Sequence, residues 1–240
     1  MTVSEIHQKI VDGIKSKEDK KNRDHNNIYH RGYRLPSYGL KAAVLAKILT
    51  GFKKEIKSLS CQDVFKLADK FYKAGTEEEV MAGNYTLQIN LDCFDKKNLS
   101  ALDKFTGCLI SWSTADDFVA DVLQPLMFKM PDEIIILLRK WNKSKKFWQK
   151  RVSVVAFTRK IGRTGRFTKE ALTLCENLIS SEEDLIQKAV GWSLKDIMRG
   201  DKKVVLDYVK KLRGRGISST IILYAVRELA GKERASVLGK

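Results

Sequence analysis

The sequence predicts an all-α protein, a solenoid of stacked helix pairs, on two observations. Apolar residues recur three or four positions apart through most of the 240 residues, and no long stretch alternates apolar with polar residues as a half-buried strand does. The chain also repeats itself weakly, because residues 149–152 echo residues 187–190 and a similar shift places Trp112 on Trp148. Echoes about 40 residues apart are typical of HEAT-like repeats. The inner helices of such an α-α superhelix would line a concave cleft.

The prolines fit this helical arrangement. Pro36 precedes an apolar-periodic run that predicts a helix ending near Phe52. Pro131 is typical of a first helical turn, and the two acidic residues after it suit the positive end of the helix dipole. Pro125 would break or kink the helix that contains it.

The other helices are predicted from the same periodicity, in chain order, at residues 3–18, 61–73, 77–91, 99–110, 113–129, 146–161, 168–179, 182–199, 201–213 and 217–230. Glycines occur where several of these helices should end, namely Gly75, Gly162, Gly200 and Gly216. Only residues 85–89 alternate, so they are the one candidate for a short strand.

Composition limits the possible functions. We expect one domain over residues 1–240, because 43% hydrophobic residues suffice for a sizeable core. No apolar run approaches the roughly 20 residues that span a bilayer, and the first residues do not resemble a secretory signal. We expect a cytoplasmic monomer with no membrane partner.

The cysteines and histidines argue against several kinds of site. The four cysteines are scattered without a CxxC pair, so neither a disulfide nor a metal site is expected, and a reducing compartment suits the chain. All three histidines lie within the first thirty residues, which makes a catalytic histidine cluster implausible. There is no glycine-rich phosphate loop. No metal and no organic cofactor is expected.

Positive charge is concentrated in one segment. The chain carries 45 basic and 29 acidic residues, a net charge of +16. Residues 134–167 contain no acidic residue but include Trp141, Trp148 and many Lys and Arg residues. A phosphate backbone is the partner that such a segment favours, since each neutralised phosphate releases a counterion. The predicted cleft would then be basic; the alternative is an ordinary solvated basic face.

Three local patterns contain candidate site residues. Trp112 and Asp116 are four residues apart and share a helix face if one helix covers both. Residues 113–116 also fit a capping box, in which Asp116 would serve only the helix start. Trp148 precedes Arg151 by three residues, which equally fits a half-buried tryptophan beside a solvated arginine. Trp192 follows Gly191, and this pair could instead be core packing.

Together these patterns resemble the AlkD family of DNA alkylation-repair glycosylases, which are built from HEAT-like repeats. The resemblance rests on Trp112-x-x-x-Asp116, on Trp148-x-x-Arg151 and on the run at residues 186–195. The sequence Gly32-x-x-x-Pro36 is similar to the early turn of the family. The resemblance implies that Trp112, Asp116, Arg151 and Trp192 line the concave cleft at the lesion.

The predicted function is therefore hydrolysis of the N-glycosidic bond of N3- or N7-alkylated purines in double-stranded DNA, without base flipping. Asp116 would stabilise the sugar cation, the two tryptophans would face the deoxyribose, and Arg151 would hold the adjacent phosphate. The predicted DNA-binding residues are Arg151, Trp148, Lys143, Lys146, Lys150, Lys188 and Lys195. Two alternatives stay open: a non-catalytic binder of branched or damaged DNA, and a scaffold for a protein with an acidic surface.

Overall fold

The structure is a computed structural model that describes residues 1–29 and 35–239, and all regular secondary structure in those ranges is helical. The helices are α1 (Val3–Lys15), α2 (Lys20–Tyr29), α3 (Ala42–Gly51), α4 (Lys53–Lys57), α5 (Cys61–Ala74), α6 (Glu77–Gln88), α7 (Ala101–Thr106), α8 (Trp112–Phe118), α9 (Gln124–Lys129), α10 (Pro131–Asn142), α11 (Phe147–Val155), α12 (Arg159–Arg163), α13 (Thr168–Glu176), α14 (Asp184–Ile197), α15 (Lys202–Gly214), α16 (Ser219–Ala225) and α17 (Gly231–Leu238). The all-α prediction is confirmed. The turn predicted around Gly32 lies outside the described residues.

The chain divides into two compact units, Met1–Lys129 and Met130–Lys240. In the first unit, α5 packs along α6, and α6 also packs against α8. In the second unit, α14 contacts α11, α12, α13, α15 and α16, so it is the central helix there. One domain over residues 1–240 stays a prediction.

The strand suggested for residues 85–89 is wrong, because residues 85–88 complete α6. This helix is buried along most of its length, including polar residues such as Asn84 and Thr86. A helix buried on several faces loses the regular apolar spacing of an amphipathic helix, which explains the misleading alternation.

Pro125 does not break its helix. The chain stays helical from Trp112 through a wider π turn at Val119–Leu123 and on into α9. The N–H of Gln124 bonds to the carbonyl of Val119, five residues back. Proline has no N–H to continue the normal ladder, and the wider turn accommodates that loss.

The helix predicted at residues 146–161 is in fact two helices, because α11 ends at Val155 and α12 begins at Arg159. Gly162 therefore does not end a helix but lies inside α12. A Cβ at this position would come within 2.7 Å of the backbone of Asp196. The glycine allows α12 to approach α14.

The prediction of no disulfide is wrong. Cys61 and Cys93 are bonded, with Cα atoms 5.2 Å apart. Because α5 packs along α6, the residue that begins α5 comes close to the turn that follows α6. The preference for a reducing compartment rested on the absence of a disulfide, so the cysteine pattern no longer supports it. Of the two free thiols, Cys175 is fully buried, and burial raises its pKa to about 12.

Across the two described ranges, no helix combines the length and the apolar character that a membrane crossing requires.

Candidate functional site

The first candidate pair lies on α8, which begins at Trp112. Ser111 is the N-cap: its hydroxyl oxygen accepts the N–H of Thr114 at 3.1 Å, and the Thr114 hydroxyl oxygen accepts the N–H of Ser111 at 3.1 Å. This is a capping box two residues earlier than predicted, so Asp116 is not part of the helix cap. One helix covers both Trp112 and Asp116, which confirms that they share a face. Asp116 is buried, with 8% of its surface exposed.

The beginning of α8 is held by Glu77, the first residue of α6. The hydroxyls of Ser111 and Ser113 both donate hydrogen bonds to its carboxylate, the first over 3.3 Å. Glu77 is itself buried at 7% exposure. The serine on each side of Trp112 therefore fixes the direction in which α8 leaves the preceding loop.

Hydrogen bonds from Asn84, a buried residue of α6, also hold α8. The amide nitrogen of Asn84 donates to the carbonyl of Thr114 and to the Asp117 carboxylate, each over 3.0 Å. The Tyr72 hydroxyl donates to the amide oxygen of Asn84. Burial, with a smaller effect from the charge of Asp117, raises the pKa of Tyr72 well above its usual value, so this donor keeps its proton. Asp117 is thus bound to the scaffold, next to the predicted catalytic residue.

In the second unit, Trp148 and Arg151 lie on α11, one turn apart as predicted. The Trp148 ring meets Phe147 edge-on, with centroids 4.8 Å apart. Arg151 is only 5% exposed, and one guanidinium nitrogen donates to the carbonyl of Leu185 over 2.7 Å. That bond joins α11 to the beginning of α14. The predicted phosphate-binding arginine is consequently held by the backbone of a second helix.

Trp192 lies on α14 and is half-buried. Its indole N–H donates to Asp196 over 2.9 Å, and the guanidinium carbon of Arg159 lies 5.3 Å from the centre of its ring. A Cβ on the adjacent Gly191 would come within 2.4 Å of the Cβ of Tyr224 on α16. The glycine therefore permits close helix packing, which was the structural alternative for this residue.

Asp196 joins the beginning of α12 to α14 and is only 1% exposed. Besides the indole N–H, the same carboxylate oxygen accepts the backbone N–H of Arg159 over 2.6 Å. The other oxygen forms ion pairs with Lys195 at 3.1 Å and Arg199 at 3.2 Å. Sequence reasoning gave Asp196 no role. The available signal was Trp192-x-x-x-Asp196, which has the spacing of Trp112-x-x-x-Asp116.

Glu228 completes this charged group. It accepts hydrogen bonds from Arg199 over 2.8 Å and from Lys195 over 3.1 Å. The hydrogen bond from Arg199 is the largest cause that lowers the pKa of Glu228 to about 2, with a smaller contribution from Lys195. Two carboxylates and two cations therefore balance in charge next to Trp192.

The predicted DNA-binding lysines differ in their surroundings. Lys188 pairs with Asp184 at 2.7 Å, and Lys195 belongs to the charged group around Asp196. Lys143 and Lys146 are exposed, and Lys150 is half-buried. Their contacts with DNA stay predictions.

The four predicted catalytic residues divide between the units. Trp112 and Asp116 belong to the first, and Arg151 and Trp192 belong to the second. Their convergence on one cleft stays a prediction. Within residues 1–29 and 35–239, no group of three or more His, Cys, Asp or Glu side chains could hold a metal ion.

Comparison with known proteins identifies the family. The family model described as DNA alkylation repair enzyme matches residues 10–229. No curated protein matches the chain. Among solved structures, the chain is similar to one described as a predicted DNA alkylation repair enzyme from Enterococcus faecalis, with a TM-score of 0.77 and 15% identity over 89% of this chain and 97% of that one. That likeness shows a shared fold. Because the family model spans nearly the whole sequence, the chain belongs to the DNA alkylation repair enzyme family.

Proposed function

We propose that this protein is a DNA glycosylase that removes cationic N3- and N7-alkylated purines, such as 3-methyladenine and 7-methylguanine, from double-stranded DNA. Family membership supports the coarser role in repair of DNA alkylation damage. The single observation that carries the finer proposal is the pair of Trp112 and Asp116 on one face of α8. Ser111 and Thr114 cap that helix, so the simplest structural explanation of Asp116 is removed.

The chemistry needs a fixed carboxylate close to the sugar. An N3- or N7-alkylated purine is positively charged, so the C1′–N bond breaks with its electron pair leaving on the neutral base. The sugar then becomes an oxocarbenium-like cation. In the proposal the Asp116 carboxylate stabilises that cation and orients a water whose oxygen bonds to C1′ while its proton is released. No cofactor enters any step.

Arg151 and the tryptophans have supporting roles in this proposal. Arg151, held in place by its bond to the carbonyl of Leu185, is proposed to donate to the phosphate beside the lesion. Trp112 and Trp192 offer aromatic faces to the sugar cation. Because Arg159 lies over one face of Trp192, a sugar would meet the opposite face or displace the guanidinium.

The proposal also predicts substrate selectivity. These residues act on the sugar and on charge rather than on base edges, so the base can stay in the stack and bulky cationic adducts should be accepted. Neutral lesions lack the weakened glycosidic bond. Excision of uracil or hypoxanthine as fast as 7-methylguanine would contradict the proposed selectivity for cationic lesions.

The test is release of free 7-methylguanine from a methylated duplex, comparing wild type with Asp116→Asn. We expect wild type to release the base and the variant to lose about 100-fold or more in rate, as when one preorganised charge-stabilising group is removed. The matched control is Asp117→Asn, the same change one residue along, at a carboxylate that Asn84 binds to the scaffold. The control should lower the unfolding temperature and change the rate less than about threefold.

The same assay separates this function from the non-catalytic alternative. A wild-type protein that releases no base while still binding DNA in a salt-dependent way would be a DNA-binding protein of the family without glycosylase activity. The Trp112–Asp116 pair would then need a structural explanation.

A further inference from the structure

We infer that Arg159 contacts a phosphodiester of the DNA strand and that Asp196 is the residue that positions it. The inference rests on the proposed function in that it assumes a DNA partner. Arg159 itself is not one of the residues proposed for catalysis, although its guanidinium lies over the ring of Trp192.

Arg159 has an unusual backbone conformation. Its φ is 54°, and it is the one non-glycine residue with a positive φ in the described ranges. This left-handed conformation costs free energy for a residue with a Cβ and persists only where the surroundings enforce it. Here the enforcing contact is the backbone N–H of Arg159, which donates to the buried Asp196 carboxylate over 2.6 Å. Such retained strain is concentrated at functional positions.

The charge of the Arg159 side chain is not balanced by the acidic residues around Asp196. Lys195 and Arg199 both pair with Asp196 and with Glu228. Arg159 is exposed and forms no ion pair with any residue that the structure describes. Its guanidinium lies instead over the Trp192 ring, a contact that uses none of its N–H donors in a hydrogen bond.

A ligand for this guanidinium must therefore be anionic and lie beside an aromatic face. The phosphodiester of a DNA strand meets both requirements, because it accepts paired N–H donors and is attached to a sugar that an aromatic ring can contact. Asp196 fixes both partners of this arrangement, since one carboxylate oxygen accepts the Trp192 indole N–H and the Arg159 backbone N–H. The ring and the cation are thus oriented before DNA arrives.

The test measures binding of an unmodified duplex as a function of salt concentration, with no catalytic readout. Arg159→Ala removes one phosphate contact, so the slope of log affinity against log salt should fall by about 0.9. Arg213→Ala is the matched control, because Arg213 is an exposed arginine on α15 of the same unit, outside the segment predicted to bind DNA. It should leave the slope unchanged.

A second variant tests the strain. Arg159→Gly also loses the phosphate contact, but glycine adopts a positive φ without cost. Its unfolding temperature should therefore lie about 2 to 4 °C above that of Arg159→Ala. If Arg159→Gly is more stable than Arg159→Ala while both variants lose the same salt dependence of DNA binding, then the arginine at this position serves binding and not folding. Equal unfolding temperatures for the two variants would overturn the strain argument.

The outcomes distinguish this inference from the proposed function. An unchanged salt slope in Arg159→Ala, alongside base release that depends on Asp116, would overturn the Arg159 contact and leave the glycosylase proposal intact. A reduced slope with no base release by wild type would support the contact and contradict the glycosylase proposal.

Discussion

Two Trp-x-x-x-Asp pairs, one in each unit, have the same spacing and very different surroundings. On α14, Asp196 receives the indole N–H of Trp192, a backbone N–H and two cations. On α8, Ser111 and Thr114 cap the helix beside Trp112, and the neighbouring Asp117 receives the Asn84 amide. We infer that Asp196 organises its unit and that Asp116 acts on the substrate. Spacing alone cannot assign either role.

Removing the Asp196 carboxylate should have the largest effect on stability. Asp196→Ala leaves two N–H donors without their acceptor and two cations short of a partner, so we expect a loss of about 3 kcal/mol or more in urea unfolding. Asp207→Ala, at an exposed carboxylate that pairs with Lys203 at 3.4 Å, is the control and should cost less than about 0.5 kcal/mol. A small loss for Asp196→Ala would remove the contrast between the two pairs.

The hydrogen bonds of Asn84 beside α8 should have the next largest effect. Asn84→Ala removes the buried acceptor of the Tyr72 hydroxyl and the amide that donates to Asp117 and to the carbonyl of Thr114, so we expect a loss of about 2 kcal/mol in the free energy of unfolding. Gln62→Ala, at an exposed amide on α5, serves as the control and should be close to neutral. A loss greater than that of Asp196→Ala would reverse the proposed order of the two regions.

The close approach of α12 to Asp196 can be tested through packing. Gly162→Ala places a methyl group within 2.7 Å of the Asp196 backbone, so we expect a loss of about 1 to 2 kcal/mol in urea unfolding, because neither backbone can move without disturbing α14. Gly214 has no atom within 4 Å of a Cβ, and Gly214→Ala should be neutral or slightly stabilising. Equal stabilities for the two variants would mean that α12 and α14 leave room for a methyl group at Gly162.

The smallest effect should come from pH. The pKa of Glu228 is lowered to about 2 in the folded protein. Its ion pairs therefore stabilise the fold fully at pH values above the usual pKa of a glutamate. This contribution is lost as the pH falls from that value through about 2. Glu228 is largely exposed, which limits the contribution to about 1 kcal/mol or less. Glu228→Gln should therefore flatten the fall in unfolding temperature between about pH 5 and pH 2. The same change at the exposed Glu182, which forms no ion pair within residues 1–29 and 35–239, should leave that profile unchanged.

The sequence was sufficient to predict the helical architecture and the shared face of Trp112 and Asp116, because both follow from local periodicity. It placed the capping box at Ser113 instead of Ser111, since the choice between two serines depends on Glu77 and Asn84, which are distant in the chain. The Cys61–Cys93 bond depends on how α5 packs along α6. Neither the positive φ of Arg159 nor its bond to Asp196 follows from local pattern, because both arise where α12 meets α14.

The most direct test of the contrast compares Asp116→Asn with Asp196→Asn, measuring the single-turnover rate of 7-methylguanine release and the unfolding temperature of each variant. We expect Asp116→Asn to lose about 100-fold or more in rate while its unfolding temperature stays close to that of wild type. We expect Asp196→Asn to lose mainly stability. A wild-type release rate in Asp116→Asn would contradict the account, because the carboxylate assigned to the sugar cation would then have no role in the reaction.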